Sequence, residues 1–157
     1  MEEFDDDDLE NFDPDEDKEL WKPVYVLNKE LQKQTEKISQ TLSSMLELIP
    51  EGDEMNRYQM ETMITDSMQV RAKLAGAWGG DMYNIYMENA SIIRSLMREM
   101  RAFTFGIEMD NEVGDGAGVE TKYAHLLREE IEQFRKTFCD WVKSFEKDEF
   151  EDEWGLY

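Results

Sequence analysis

The sequence contains very few of the residues that form disulfides or bind transition metals. Among its 157 residues there is one cysteine, Cys139, and one histidine, His125. A single cysteine cannot form an internal disulfide, and a single histidine excludes metal sites that need two imidazole ligands. The lack of a disulfide favours a reducing, cytoplasmic location. Since each motif is also explained without chemistry, we expect no catalytic residue, no cofactor and no bound metal.

Long hydrophobic runs are missing as well. No apolar stretch approaches the roughly 18 residues that a membrane-spanning helix requires. The sequence begins MEEFDDDDLE, without the basic region and apolar stretch of a secretory signal. We expect a soluble cytoplasmic protein with no membrane partner.

Positive charge is scarce and unevenly distributed. The chain has 17 basic and 38 acidic residues, and its net charge is -21. Residues 1–19 hold 12 acids and 1 base, and residues 143–157 hold 6 acids and 2 bases, so the remaining residues carry only -6. This field repels phosphates, so we expect no direct binding of nucleic acid. The charge pattern predicts a disordered acidic tail over 1–19, a helical bundle domain over 20–148 and an acidic-aromatic tail over 149–157.

Apolar residues recur at steps of three and four, which predicts an all-α fold. The first helix has Pro23 in its first turn and is ended by Pro50, and Asp53 is placed to cap the second helix. The glycine-rich stretch 110–118 is expected to be a loop before the last helix. An apolar pattern that almost keeps its register across Gly79-Gly80-Asp81 consists of Trp78, Met82, Ile85, Ile92, Leu96, Met100, Phe103 and Ile107. The predicted stripe of the last helix consists of Ala124, Leu127, Ile131, Phe134, Phe138, Trp141 and Phe145.

The step Gly79-Gly80-Asp81 leaves two architectures open. Two adjacent glycines destabilise a helix by about 1 kcal/mol each relative to alanine, yet the apolar pattern continues across them. A tight turn with Asp81 as the capping residue gives an antiparallel four-helix bundle, which we favour. The alternative is three helices with one continuous central helix of roughly 80 Å, which would favour a dimer.

Three stretches of the sequence are similar to known proteins. Residues 74–94 (LAGAWGGDMYNIYMENASIIR), residues 123–145 (YAHLLREEIEQFRKTFCDWVKSF) and the terminal DEWGLY resemble a family of small, all-helical bacterial hypothetical proteins with no assigned activity. The resemblance implies a helical bundle in a bacterial cytoplasm. It supplies no catalytic residue.

Two rows of basic residues could form binding surfaces. Arg94, Arg98 and Arg101 stand at positions i, i+4 and i+7, so they share one side of a helix, opposite much of its apolar face. Lys29, Lys33 and Lys37 form a similar row on the first helix. Either row could bind a phosphate-bearing ligand or an acidic tail of the same or another chain, and either could simply be a solubilising face.

The two acidic ends also carry apolar residues that could anchor a partner. In the head these are Phe4, Leu9 and Phe12, and in the C-terminal tail they are Trp154, Leu156 and Tyr157. Such segments cannot form their own core but can insert apolar side chains into a basic, grooved partner. Alternatively, the head is only solvated and the terminal aromatics pack on their own bundle. We predict a non-enzymatic interaction protein that uses these tails to bind an unknown protein partner.

Other functions remain possible from the sequence. Glu129 and Glu132 have the Glu-x-x-Glu spacing of all-α, magnesium-dependent nucleotide hydrolases, which makes such an enzyme the main alternative. An acidic inhibitor that mimics nucleic acid is another. The 11 methionines and additional apolar positions on the helices favour a homo-oligomer, most simply a homodimer.

Overall fold

The computed structural model describes residues 22–77 and 82–157, and these form four helices. They are α1 (Pro23–Leu48), α2 (Glu54–Gly76), α3 (Tyr83–Val113) and α4 (Thr121–Lys143). No β-strand occurs in either range. The predicted four-helix, all-α fold is confirmed. The alternative prediction of one continuous central helix is wrong, because α2 ends at Gly76 and α3 begins at Tyr83.

Some predicted features fall on residues that the structure does not describe. The acidic tail of residues 1–19, with the anchors Phe4, Leu9 and Phe12, lies outside the described residues. The Gly79-Gly80-Asp81 step does too. The capping position of α3 is nevertheless occupied by Met82, which makes no side-chain capping bond, so the prediction of Asp81 as the cap is wrong.

The beginning of α1 and the α1–α2 connection both follow the sequence prediction. Pro23 lies in the first turn of α1, where a missing amide donor costs nothing. The carboxylate of Asp53 accepts a hydrogen bond from the backbone amide of Asn56 at 3.4 Å and so caps α2.

The α3–α4 connection begins later than predicted, because α3 continues to Val113. The side chain of Asn111, in its last turn, closes the loop by accepting from the amide of Ala117 at 2.9 Å and donating to the carbonyl of Val119 at 2.9 Å. These hydrogen bonds stabilise the last turn of α3, although most of its residues are polar. Gly116 adopts a φ of 90°, which other residues rarely tolerate.

Contacts between helices show how the bundle is arranged. α1 and α3 each pack against both α2 and α4. Asn28, early in α1, donates to the carbonyl of Leu74, late in α2, at 3.0 Å. Arg128 of α4 bonds to Thr104 of α3 at 3.1 Å. The antiparallel direction of neighbouring helices stays a prediction.

The buried face of α3 agrees with the predicted pattern only in part. Met100 and Ile107 are buried, and Leu96 and Phe103 pack against the core, as predicted. Ile92 and Met82 are instead 39% and 44% exposed, whereas Ile93 and Met97 are buried. In this first half of the helix, Tyr86 packs edge-on against Trp141 of α4, with ring centroids 6.3 Å apart. Trp78 lies outside the described residues. The predicted stripe of α4 is confirmed as buried or partly buried.

Several polar side chains are buried among the apolar ones. Ser39 and Ser67 are joined by a hydrogen bond of 2.8 Å between α1 and α2. Glu130 of α4 accepts a hydrogen bond from Thr41 of α1 at 2.8 Å. Burial raises the pKa of Glu130, although this hydrogen bond opposes the effect. Burial, together with the charge of Glu99, also raises the pKa of Asp66.

Trp141 is fully buried while Trp154 is 82% exposed, so the two tryptophans form a matched pair for a stability test. We expect Trp141→Ala to lower the free energy of unfolding by about 3–5 kcal/mol through lost burial and a residual cavity. Trp154→Ala should change it by no more than about 0.5 kcal/mol. Urea denaturation followed by circular dichroism measures both. Equal losses in the two variants would contradict this core.

Candidate functional site

The main candidate site is a groove between α3 and α4, which we call the basic groove. It has a volume of about 420 Å³, including space open to solvent. Met97 of α3 and Ile131, Phe134 and Phe138 of α4 give it an apolar floor. Charged residues complete its lining: Arg94, Arg98 and Arg101 of α3, and Glu132 and Arg135 of α4.

The structure thus brings the predicted arginine row together with a fourth arginine, Arg135. The row does not lie opposite the packed face of α3 but at its edge, because Arg98 follows the buried Met97 by one residue. Among the described residues, Arg94, Arg98 and Arg101 form no ion pair or hydrogen bond through their side chains. Their donors are available to a ligand.

Glu132 is the acid in the basic groove. Arg135 donates to both of its carboxylate oxygens, at 2.6 and 2.9 Å. This hydrogen-bonded pair lowers the pKa of Glu132, to which the charges of Lys136 and Arg101 add. With four arginines and one glutamate, the groove keeps an excess of positive charge in a strongly acidic chain.

A second charged cluster continues this surface along α3 and α4. The carboxylate of Glu108 contacts the imidazole of His125 and forms an ion pair with Arg128 at 2.9 Å. The guanidinium of Arg128 also lies 3.8 Å from the ring centroid of Phe105, close enough for a cation–π contact. Burial alone would raise the pKa of Glu108, but Arg128 and His125 outweigh it and hold that pKa below its ordinary value.

The residues proposed for a magnesium site are not brought together with further ligands. Glu129 is exposed, and the carboxylate of Glu132 is bound by Arg135. Within residues 22–77 and 82–157, no group of three acidic, histidine or cysteine residues is arranged to hold a metal ion. The lysine row, Lys29, Lys33 and Lys37, lies exposed on α1.

The second candidate site is the C-terminal segment, residues 148–157, which folds back on the start of α3. The carboxylate of Asp148 accepts a hydrogen bond from the amide of Tyr83 at 3.2 Å, and its other oxygen accepts from the amide of Phe150 at 3.0 Å. It therefore satisfies one of the free donors in the first turn of α3. Partial burial and the negative charges of Glu88 and Asp152 raise the pKa of Tyr157. Tyr157 thus also lies near α3.

The end of the C-terminal segment forms a hydrogen-bonded turn around Asp152. The amide of Asp152 donates to the carbonyl of Tyr157 at 3.1 Å, and its carbonyl accepts from the amide of Gly155 at 2.9 Å. Its side chain accepts from the amide of Leu156 at 3.0 Å. Gly155 has a φ of 72°, as this reversal requires. Trp154 and Leu156 remain 82% and 74% exposed.

Reasoning from the sequence missed three residues of these sites. The sequence shows no regularly spaced row of basic residues on α4 that would single out Arg128 and Arg135. Asp148 lies among other acidic residues of the sequence. The signal that could have revealed Arg135 is its position on the flank of the predicted α4 stripe, between Phe134 and Phe138. That position places a charge at the edge of a packed helix face.

We expect Asp148→Ala to lower the free energy of unfolding by about 0.5–2 kcal/mol, as the loss of a helix cap does. The amides of Tyr83 and Phe150 should exchange with solvent faster, because both lose their acceptor. Hydrogen exchange by NMR measures this, and Glu149→Ala is the neighbouring control. Unchanged exchange at Tyr83 in Asp148→Ala would show that this carboxylate does not hold the segment.

The lowered pKa of Glu108 predicts a pH dependence of stability. The ionised carboxylate stabilises the fold above its ordinary pKa of 4.5, and this contribution is lost as the pH falls through the lowered value. Glu108→Gln should therefore weaken the loss of stability on acidification below about pH 4.5. Urea denaturation at a series of pH values tests this, with Glu112→Gln, one turn further along α3, as the control. Identical acid profiles for Glu108→Gln and the unaltered protein would contradict the expectation.

Comparison of the chain with protein-family models, curated proteins and solved structures gives no match. The resemblance to a bacterial hypothetical family stays a prediction. Within the described residues, no helix is long and apolar enough to cross a membrane. The function must therefore be argued from the basic groove and the C-terminal segment.

Proposed function

We propose that this chain is a non-enzymatic interaction protein that binds a protein partner through its C-terminal segment. The observation that supports this most directly is the exposure of Trp154 and Leu156 on a hydrogen-bonded turn. Single exposed apolar side chains are common on protein surfaces, but apolar side chains grouped on one ordered turn are typical of interaction sites.

The turn has the energetic features of a binding anchor. A tryptophan buries about 150–250 Å² on binding, which at about 25 cal/mol per Å² corresponds to roughly 4–6 kcal/mol before the losses of association. Those losses are smaller when the ligand is already ordered. The bonds made by Asp152 and the cap made by Asp148 provide such order. Trp154 is therefore the residue on which we expect binding to depend most.

Charge indicates the chemistry of the partner. Glu151, Asp152 and Glu153 directly precede Trp154, so the anchor is surrounded by negative charge. A complementary site would be an apolar pocket rimmed by lysine or arginine. The acidic head, with Phe4, Leu9 and Phe12, offers similar chemistry and belongs to the same proposal. A cytoplasmic location and self-association, in which the partner is a second copy, are further parts of it.

We expect the double variant Trp154→Ala and Leu156→Ala to lose the specific partner that the unaltered chain retains in affinity capture from its native cell extract. The control is Val113→Ala, because Val113 is similarly exposed, at 81%, at the end of α3. A decrease of more than about tenfold in affinity for the partner corresponds to about 1.4 kcal/mol of binding free energy. A decrease of this size would fit a tryptophan anchor.

The same variants distinguish a foreign partner from a second copy. If the turn mediates self-association, sedimentation of the unaltered chain will show a mass that rises with concentration, and the double variant will remain monomeric. If the double variant captures the same proteins and sediments like the unaltered chain, the C-terminal segment is not a binding site.

A further inference from the structure

The basic groove has the chemistry to bind an acidic segment with an apolar anchor. Its rim contains the Glu132–Arg135 pair and three arginines of α3 that make no ion pair within the part of the chain that the structure describes. Phe134 and Phe138 lie in its floor. A phosphate group could neutralise the arginines but would leave this apolar floor exposed to water. An acidic peptide with an aromatic side chain satisfies both parts of the site at once.

We propose that the occupant is the acidic head of the same chain, residues 1–19, with Phe12 as its apolar anchor. The head carries 12 acids and 1 base, so its charge is opposite to that of the groove. Phe12 lies between Glu10 and Asp13, which places an aromatic ring among carboxylates. The groove is thus a receptor site for the chain itself, separate from the C-terminal segment proposed above to bind a partner.

The head can reach the groove from the point where the described chain begins. Lys22 lies beside Tyr86 and Phe145, at the end of the bundle where α3 begins. Along α3, at 1.5 Å per residue, Arg94 is about 12 Å and Arg101 about 22 Å from Tyr86. The ten residues from Phe12 to Lys22 can span up to about 33 Å when extended. Phe12 can therefore reach any part of the groove.

Tethering favours the head over other acidic ligands. A segment joined to its site by a short linker has an effective concentration in the millimolar range, far above that of a separate protein. Among the three apolar anchors of the head, Phe12 is nearest in sequence to Lys22. Its binding therefore closes the shortest loop and costs the least chain entropy. The C-terminal segment of the same chain is already held at Tyr83 by Asp148 and is not free to compete.

A head bound in the groove would compete with external acidic ligands for the same arginines. An external acidic ligand would have to displace the head, so its apparent affinity falls in proportion to the fraction of chains in which the groove is open. The interaction depends on charge at a solvent-exposed site, and so it should weaken as salt increases.

The test uses the full chain with a nitroxide label beside Phe12. The variant combines Cys139→Ser, which removes the native thiol, with Asn11→Cys, which adds a labelling site without altering the charge of the head. Met97 and Ile131 lie in the floor of the groove. Their methyl signals should be weaker with the oxidised nitroxide than after the nitroxide is reduced. The methyl signal of Met68, exposed on α2, should not differ between the two states. Full intensity at Met97 and Ile131 would overturn the proposal.

Charge variants test whether the arginines hold the head. Arg94→Glu with Arg98→Glu should restore the methyl intensities, and so should ionic strength near 1 M, where the Debye length is about 3 Å. The control is Lys29→Glu with Lys33→Glu, which changes the net charge equally on exposed positions of α1. This control should keep the loss of intensity. If both pairs restore the signals, or neither does, the groove is not the binding site.

A mixed sample identifies the chain to which the bound head belongs. Labelled chains without isotopes are mixed with isotope-enriched chains that carry no nitroxide. The proposal requires full methyl intensity in this mixture, because the head occupies its own groove. Loss of intensity there would show that the head of a second copy binds instead, which would overturn docking within one chain.

Discussion

The structure depends on the row of aromatic side chains along α4. Trp141 is fully buried and contacts the rings of Tyr86, Phe138 and Phe145, with centroids 4.7 to 6.3 Å apart. These contacts fix the rotation of α3 against α4. They also define both candidate sites, because Phe138 lies in the floor of the basic groove and Phe145 precedes the C-terminal segment. Burial of this row is the main driving force at that end of the bundle.

Charge is segregated as clearly in space as along the sequence. The head and the C-terminal segment are acidic, while α3 and α4 place four arginines around one apolar groove. Arginine suits this position because its long stem can cover apolar surface while its guanidinium stays in water. A chain with a large negative charge therefore presents a local site on α3 and α4 that attracts carboxylates. The same segregation would draw its own acidic ends, or those of another protein, towards α3 and α4.

Much of the fold could be predicted from the sequence, since each helix buries a stripe with a helical period. The α4 stripe and the capping of α2 by Asp53 followed from local rules alone. The first half of the α3 stripe did not, because a helix with apolar residues at both Ile92 and Ile93 can bury either side chain. Its packing against Tyr86 and Trp141 selected the buried face. Similarly, the last turn of α3 stays helical through bonds that its neighbouring loop supplies.

The sequence by itself determined the all-α class, the charge of the two ends and the arginine row on α3, but it left three and four helices both open. Periodicity and composition are local properties, so they can be read without knowing which helices meet. Only the tertiary structure decided that Arg135 completes the groove and that Asp148 caps α3 from 65 residues away. It also decided that Trp154 stays exposed on an ordered turn. These features arise where distant segments meet, and their positions depend on how the aromatic row packs.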